Sequence, residues 1–292
     1  MIGIFDSGYG GLTILKHIRQ QLPQYDYLYL GDNARAPYGT RSFEVIYEYT
    51  LQAVNYLHQQ GCNLIILACN TASAKALRTI QQRNINPDLL RVLGVIRPTV
   101  EVIPQRTHTK HIGVLATPGT VASESYVIEL LKQDPTLVIT QQACPMWVPL
   151  IESGEHLSDG ANYFVEKYLT ELLTRDPLID TIILGCTHYP LLQPKIQDFL
   201  THHSTGNTPN IQLVSQGEIV ACSLTDYLQR HPDIAQRALD TKINTRNHIL
   251  NNCDPQLSNS KFLTTESAEK FCNSASIFLS EQIQAHHIEL LT

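Results

Sequence analysis

The sequence predicts an α/β fold of two pseudo-symmetric, doubly wound domains with mainly parallel sheets. Short apolar runs alternate with helical stretches, and several runs are apolar throughout, as expected of strands covered on both faces. Two segments, "LIILACNTASA" and "IILGCTHYPLL", share one design in which an apolar run leads to a cysteine and a helix follows. The 292 residues, 43% of them hydrophobic, suffice for two medium-sized cores.

The candidate strands are eight short runs rich in apolar and β-branched residues. They are Ile2–Phe5, Tyr27–Leu30, Leu64–Ala68, Val92–Val95, Ile112–Ala116, Leu137–Thr140, Ile179–Leu184 and Ile211–Val214. The clearest helix is predicted over Ser42–Gln60, with an apolar stripe from Phe43 to Leu57 and Gly61 as its stop. The C-terminal part, which contains "NNCDPQLSNS", is less regular.

The domain boundaries are expected near Arg97–Pro98 and within "THHSTGNTPN" (201–210), since no long Gly/Ser linker separates domains. The chain would then build a first domain from residues 1–96 and 210–292 and a second from residues 97–209. Open α/β sheets bind ligands at the carboxyl ends of their strands. We therefore expect the two cysteine motifs to face each other across a cleft between the domains, which would be the active site.

Charge and hydropathy exclude several classes of protein. The net charge is −6 and no Lys/Arg-rich run occurs, which argues against a nucleic-acid surface. No apolar run approaches the roughly 20 residues that span a bilayer. The N-terminus lacks the basic and then apolar segments of a signal peptide. We expect a cytoplasmic protein that binds neither nucleic acid nor membrane.

The seven cysteines include no CxxC pair, so the sequence does not favour a zinc knuckle or a thioredoxin-type site. In a reducing compartment a cysteine is by default a small buried apolar residue. We expect this of five of them, namely Cys62, Cys144, Cys222, Cys253 and Cys272.

The other two, Cys69 and Cys186, each stand at the end of an apolar strand and the start of a helix. Partial positive charge at a helix N-terminus lowers the pKa of a thiol. The capping residue is expected to be Asn70 or Thr71 in one motif and Thr187 in the other, where Pro190 suits the first helical turn. The imidazole of His188 is a possible proton partner for Cys186.

Two loops add further candidates. "FDSGYGGLT" matches neither GxGxxG nor a P-loop, which leaves Asp6 and Ser7 displayed beyond the first strand. "GDNARAPYG" forms a turn-rich loop beyond the second strand, with Asp32, Pro37, Tyr38 and Gly39; this signal is weaker.

The chain resembles the glutamate racemases of the cofactor-independent aspartate/glutamate racemase superfamily. The resemblance is carried, in order along the chain, by "GIFDSGYGGLT", "GDNARAPYGTRS", "ACNTASA", "GVIRP", "GVLATPGTVASESY", "VPLIESGE" and "LGCTHYPLL", with a weaker match in "FLTTESAEKF". Three positions depart from the family pattern. Tyr9 and Arg97 could reshape the rim of the pocket, and "LVSQGEIVA" lacks the usual Asp-Ser.

The resemblance implies residue roles. Cys69 and Cys186 would be the two acid/base thiols, with Asp6 and His188 as their proton-handling neighbours. Thr117 and Thr120 would hold a substrate carboxylate, and Glu152 matches a family acid near the site. The remaining implied substrate contacts are Ser7, Pro37, Tyr38, Gly39, Asn70, Thr71 and Thr187.

The implied activity is interconversion of L- and D-glutamate, supplying D-glutamate for peptidoglycan, in a homodimer without cofactor or metal. Inverting a carbon centre requires removal of a proton from one face and return of a proton to the other, which two opposed bases accomplish. Because the chain begins at its first strand, no activation by a muramyl-peptide precursor is expected.

Three alternatives stay open at this stage. The first is a racemase of aspartate or another small amino acid, since pocket depth decides the substrate. The second is a thiol hydrolase with Cys186 as nucleophile and His188 as base, although C-x-H neighbours on one loop are expected to reach each other poorly. The third is a zinc-binding regulatory module built on Cys69, Cys186 and His188, against which the spacing argues.

Overall fold

The computed structural model describes residues 1–83, 86, 88–203, 210–241 and 259–290. Its strands are β1 (Ile2–Asp6), β2 (Tyr27–Gly31), β3 (Leu64–Leu67), β4 (Arg91–Gly94), β5 (His111–Ala116), β6 (Val138–Ala143), β7 (Thr181–Gly185), β8 (Gln212–Val214), β9 (Ser260–Thr264) and β10 (Ala285–His287). Its α-helices are α1 (Gly11–Gln21), α2 (Phe43–Gln59), α3 (Asn70–Lys75), α4 (Leu77–Arg83), α5 (Ile96–Glu101), α6 (Pro118–Ala122), α7 (Ser125–Gln133), α8 (Trp147–Glu152), α9 (Asp159–Arg175), α10 (Gln193–His203), α11 (Gly217–Arg230), α12 (Pro232–Asp240) and α13 (Ala268–Leu279).

The chain folds into two compact units. The first comprises Met1–Val95 and Gly217–Thr292, and the second comprises Ile96–Gln216. The first contains a six-stranded sheet in the order β10-β9-β2-β1-β3-β4, and the second a four-stranded sheet in the order β6-β5-β7-β8. All strand pairings described are parallel. The predicted fold class is therefore confirmed.

The two sheets repeat one strand order. In the first, the chain moves from β1 to β2 on one side and then to β3 and β4 on the other. In the second, it moves from β5 to β6 on one side and then to β7 and β8 on the other. Each sheet thus has a topological switch point, between β1 and β3 and between β5 and β7. Loops at such a point diverge and leave a crevice at the carboxyl ends of the strands.

Burial explains why these runs form central strands. Every residue of β1, β3 and β7 is buried, so their side chains are covered on both faces of the sheet. The predicted long helix is α2, whose N-cap Ser42 accepts a hydrogen bond from the Val45 amide at 3.3 Å. It ends before Gly61, which has φ +97. Phe43, placed on the apolar stripe by the sequence, is 45% exposed, because it stands in the first turn beyond the core.

The structure differs from the sequence-based expectation in the C-terminal part. The short strands β9 and β10 were not predicted, because few apolar residues mark them. Residues 251–258 of "NNCDPQLSNS", including Cys253, lie outside the described residues. So do residues 204–209, which belong to the second expected domain boundary. The compact units divide after Val95 and after Gln216, whereas the sequence suggested residues 96 and 209. The later division follows from the pairing of β8 with β7, which keeps β8 in the second unit.

Across the ranges that the structure covers, no helix is both long enough and apolar enough to cross a membrane.

Candidate active site

In the first unit, the loops after β1 and β3 begin side by side. Phe5 pairs with Leu67, and the Ala68 amide donates to the Phe5 carbonyl at 2.8 Å. Asp6 therefore ends one strand next to the place where Cys69 follows the other. This is the switch point of the six-stranded sheet, so topology alone brings these two motifs to one edge.

Cys69 is itself the N-cap of α3. Its sulfur accepts a hydrogen bond from the Ala72 amide at 3.5 Å and lies 3.3 Å from the hydroxyl oxygen of Ser7. The expectation that Asn70 or Thr71 would cap this helix is wrong, since both lie inside its first turn. Cys69 is 5% exposed. A backbone N–H and a hydroxyl thus contact the sulfur of a buried residue, and such donors stabilise a thiolate.

Asp6 is buried beneath the glycine-rich turn. Its Oδ2 accepts a hydrogen bond from the Gly8 amide at 2.9 Å. A Cβ atom at Gly11 would lie 2.6 Å from the Asp6 Cβ and 3.0 Å from the Ala68 Cβ. Glycine at this position lets the start of α1 approach both strand ends. Gly11 therefore allows close packing around the Asp6 carboxylate.

The loop after β2 is held by Asp32, which is fully buried. Its carboxylate accepts hydrogen bonds from Tyr38 Oη, from Arg35 Nε at 2.7 Å and from Thr265 Oγ1 at 2.8 Å. Burial and the Asp32 charge raise the pKa of Tyr38 well above its ordinary value, so the phenol is a neutral donor. The Tyr38 ring is buried, whereas its neighbours Pro37 and Gly39 are exposed and half-buried, respectively.

In the second unit, β5 and β7 end level with each other. Ala116 pairs with Gly185, and Thr117 and Cys186 come next in the chain. Thr117 is the N-cap of α6, where its hydroxyl accepts a hydrogen bond from the Thr120 amide at 3.3 Å. The Thr117 hydroxyl also donates to Thr120 Oγ1 at 3.1 Å. The two threonines are therefore in direct contact at the switch point of this sheet.

Cys186, His188 and Glu152 form a chain of contacts. The Cys186 sulfur lies 3.8 Å from His188 Nδ1, and His188 Nε2 lies 2.9 Å from Glu152 Oε1. Burial of His188 opposes its charged form, but hydrogen bonds to Cys186 and Glu152 and their negative charges hold the pKa of His188 well above its ordinary value. The expectation that C-x-H neighbours reach each other poorly is therefore wrong here.

The turn after Cys186 differs from the expected cap. A 3-10 turn spans Tyr189–Leu192, and the residue preceding it is His188 rather than Thr187. Pro190 does lie in the first turn, as predicted. Tyr189 packs edge-on against Trp147, with ring centroids 4.7 Å apart. This packing ties the turn to α8, the helix that carries Glu152 at its last residue.

The predicted site residues thus fall into two groups. The first unit holds Asp6, Ser7, Pro37, Tyr38, Gly39, Cys69, Asn70 and Thr71, and the second holds Thr117, Thr120, Glu152, Cys186, Thr187 and His188. Asn70, Thr71 and Thr187 are all buried. Among the described residues, no group of three or more His, Cys, Asp or Glu is arranged to hold a metal ion.

The structure shows the surroundings of two residues that depart from the family pattern and the burial of the remaining cysteines. Tyr9 is buried, and its ring lies 5.4 Å from that of Phe271 and 6.0 Å from that of Phe278, so it packs against α13. Arg97 is exposed and pairs with Glu101 at 2.9 Å. The expectation of burial is confirmed for Cys62 and Cys144.

That expectation is wrong for Cys222, which is exposed on the outer side of α11, and Cys272 is only half-buried on α13. The polar faces of these helices place both cysteines toward solvent.

Sequence reasoning also missed the ion pair that Arg35 forms with Asp32. The spacing of an acid and an arginine three residues apart was the available signal.

Both the sequence and the fold of this chain are similar to those of known proteins. The sequence profile of the Asp/Glu/Hydantoin racemase family matches residues 8–216. A glutamate racemase of Ruegeria sp. (strain TM1040) is 43% identical over 243 residues, covering 80% of this chain and 87% of the relative. The crystal structure of glutamate racemase isoform RacE1 from Bacillus anthracis aligns with a TM-score of 0.83 at 33% identity, covering 99% of this chain and 97% of that one.

A second crystal structure, that of Francisella tularensis glutamate racemase in complex with D-glutamate, aligns with a TM-score of 0.80 at 30% identity, covering 99% of this chain and 97% of that one. The profile match spans most of the chain and includes both cysteine motifs. The chain therefore belongs to the Asp/Glu/Hydantoin racemase family.

Proposed function

We propose that this chain interconverts L-glutamate and D-glutamate by a two-base proton transfer, with Cys69 and Cys186 as the two bases. The observation that carries the proposal is the equivalence of the two cysteines within their sheets. Each follows the third strand of a unit with the same strand order, and each is buried beside a proton-bearing group. The relatives named glutamate racemase support glutamate as the substrate.

The reaction needs one thiolate and one thiol in each direction. From L-glutamate, the Cys186 thiolate removes the α-hydrogen and the Cys69 thiol delivers a proton to the opposite face. From D-glutamate the roles reverse. The mechanism requires that the bound substrate present one face of its α-carbon to each thiol.

The neighbours of each sulfur set its protonation. His188 carries a proton beside Cys186 and stabilises its thiolate, while Glu152 balances the charge on the imidazole. Ser7 and the Ala72 amide stabilise negative charge on Cys69. Asp6 is the proton-handling group of that side. The sulfur atoms therefore reach their charged forms by different means.

The substrate carboxylates are bound by hydroxyl, amide and backbone N–H groups. Thr117 and Thr120 stand at the start of α6, and Asn70 and Thr71 form the first turn of α3. Helix N-termini favour anions, and donors fixed in place stabilise charge that develops on the carboxylate as the α-carbon loses its proton. Ser7, Thr187 and the Pro37–Gly39 loop complete the set of proposed contacts.

Single substitutions of the two cysteines test proton transfer at each face of the α-carbon separately. In heavy water, Cys69→Ala should abolish racemisation yet exchange the α-hydrogen of L-glutamate slowly, because Cys186 still reaches that face. Cys186→Ala should exchange only D-glutamate. Proton NMR of both enantiomers measures the exchange. Cys222→Ser is the matched control, since this thiol is exposed, and it should racemise at the wild-type rate.

Each departure from this pattern has a defined meaning. Racemisation near the wild-type rate by either alanine variant would contradict the two-base mechanism. Exchange of the same enantiomer by both variants would overturn the assignment of faces alone. Faster turnover of L- and D-aspartate than of glutamate by the wild-type protein would make aspartate the substrate.

Three further expectations belong to this proposal. Activity should survive dialysis against chelator and hydroxylamine, because two protein bases need neither a metal nor pyridoxal phosphate. The D-glutamate formed would serve peptidoglycan synthesis in the cytoplasm, which growth of a deletion strain with and without D-glutamate would test. Light scattering on the purified chain would test the proposed homodimer.

A further inference from the structure

Three buried polar side chains of the second unit take no part in the proposed mechanism. Thr99 lies on α5, Tyr126 on α7, and Gln216 two residues after β8. The Gln216 side-chain amide donates hydrogen bonds to Thr99 Oγ1 at 2.9 Å and to Tyr126 Oη at 3.0 Å. Their exposures are 0% for Thr99 and Tyr126 and 2% for Gln216. We refer to these three residues as the Gln216 cluster.

The Gln216 cluster adjoins the residue that precedes Cys186. β8 pairs with β7 as far as Val214 opposite Ile183, and Gln216 follows Val214 by two residues as Gly185 follows Ile183. The Tyr126 ring approaches the same residue, since a Cβ atom at Gly185 would lie 3.1 Å from Tyr126 Cε2. That Cβ atom would also lie 3.0 Å from the Leu115 carbonyl oxygen. The backbone before Cys186 is therefore held between a neighbouring strand and the Tyr126 ring.

Electrostatics agrees with this proximity. Burial raises the pKa of Tyr126, and the negative charge of Cys186 raises it further, whereas the hydrogen bond from Gln216 lowers it. The phenol is therefore neutral and close enough to interact with charge on the sulfur. A shift of the ring would alter both the packing around Gly185 and the surroundings of Cys186.

We propose that Gln216 is a positioning residue for proton transfer at Cys186. By donating one amide hydrogen to Thr99 and the other to Tyr126, it fixes the Tyr126 ring against Gly185 and thereby sets the position of the Cys186 sulfur. Glutamine suits this role because one nitrogen carries two hydrogens. Misplacement of a reacting group by about 1 Å can cost on the order of 100-fold in rate. This inference rests on the proposed two-base racemisation.

The test is Gln216→Leu, which keeps the size of the side chain and removes both donors. The rate constant kcat should fall about tenfold, within the range that misplacement produces. Primary isotope effects identify the affected step. With α-deuterated L-glutamate, whose deuteron Cys186 removes, the isotope effect should rise because this step becomes more rate-limiting. With α-deuterated D-glutamate, whose deuteron Cys69 removes, it should fall.

Gln142→Leu is the matched control. Gln142 is also buried in the second unit, but it lies on β6, at the opposite edge of the sheet. Its side-chain amide donates a hydrogen bond to Glu171 at 2.9 Å. Its loss should lower the melting temperature while leaving both isotope effects unchanged. Tyr126→Phe, which keeps the ring and removes the hydroxyl, should shift the isotope effects in the same sense as Gln216→Leu, and it decides the question if Gln216→Leu does not fold.

The outcomes separate this inference from the proposed function. Unchanged isotope effects in the folded variant, or a rise with D-glutamate in place of L-glutamate, would overturn the role of Gln216 while racemisation by the wild-type protein stands. A wild-type protein that interconverts neither glutamate nor aspartate would overturn the proposed function and this inference with it.

Discussion

At the scale of single residues, the two sulfur atoms have unlike neighbours. Cys69 meets a hydroxyl and a backbone amide, which are neutral. Cys186 meets an imidazole that a carboxylate supports. Histidine is the side chain whose charge changes most readily near neutral pH, and its contacts hold the pKa of His188 well above its ordinary value. We therefore expect His188 to contribute to the pH dependence of the reaction.

Glu152→Gln tests this arrangement through activity. The change removes a negative charge beside His188, so less protonated imidazole is available to stabilise the Cys186 thiolate. We expect kcat/KM to fall about 10- to 100-fold, part of the ~10²–10⁴ that a positioned acid or base contributes. Glu155→Gln, an exposed acid on the next turn, is the control and should leave the rate unchanged. Equal rates for both variants would exclude a role for the Glu152 charge.

The same substitution has a consequence for stability. The folded-state pKa of His188 is raised above its ordinary value, burial opposing and the contacts with Cys186 and Glu152 favouring the charge. Such a group stabilises the fold fully below its unfolded pKa of about 6.5 and loses that contribution as pH rises through the folded value. The difference in melting temperature between wild type and Glu152→Gln should therefore be largest below about pH 6.5. A difference that grows with rising pH would contradict the assignment.

At the scale of elements, the ends of β5 and β7 are packed without room for added atoms. Gly185 pairs with Ala116, and a Cβ atom there would lie 3.3 Å from the Ala116 Cβ besides its contacts with Leu115 and Tyr126. One of these neighbours is a backbone carbonyl, which cannot rotate away. A side chain on the last residue of the strand that delivers Cys186 would therefore force a neighbour to shift, which favours glycine there.

Gly185→Ala should destabilise the protein by about 1–3 kcal/mol, the usual cost of overpacking. Activity should fall as well, because the added methyl group displaces the start of the Cys186 turn. Gly160→Ala is the control: its Cβ atom would meet only Ser158 Oγ, at 3.5 Å, at the start of α9. It should be neutral or stabilise by up to about 1 kcal/mol. Urea unfolding measures both, and an unperturbed Gly185→Ala protein would refute the packing argument.

At the scale of the whole molecule, the first unit depends on both ends of the chain. β9 pairs with β2 from Tyr27 opposite Ser260 to Gly31 opposite Thr264, and α11 packs on α1. A chain that ends at Gln216 would expose the edge of β2 and the face of α1. The second unit, Ile96–Gln216, is continuous and keeps all four of its strands.

Truncation after Gln216 should therefore unfold one unit and spare the other. Hydrogen exchange should show rapid exchange of the β1 and β3 amides and continued protection of those in β5 and β7. The separate fragment 96–216 should unfold cooperatively on heating. Protection of β1 in the truncated chain would mean that the first unit does not need its C-terminal segment.

The sequence by itself determined the fold class, the central strands and the two cysteine motifs. Short continuous apolar runs such as those of β3 and β7 are typical of strands buried on both faces, and a polar group after such a strand lies at the carboxyl end of the sheet. The strands β9 and β10 could not be predicted, because strands of three to five residues that include polar side chains show little periodicity.

Tertiary structure alone decided which side chains meet. Sequence spacing could not reveal that Cys69 caps its own helix, or that Glu152, 36 residues earlier in the chain, reaches His188 from a separate helix. These contacts depend on the packing of Trp147 against Tyr189 and on backbone geometry after each strand. Likewise, Gln216 meets Thr99 and Tyr126 only because β8 returns to the edge of β7, and pairing between distant segments leaves no local signal in a sequence.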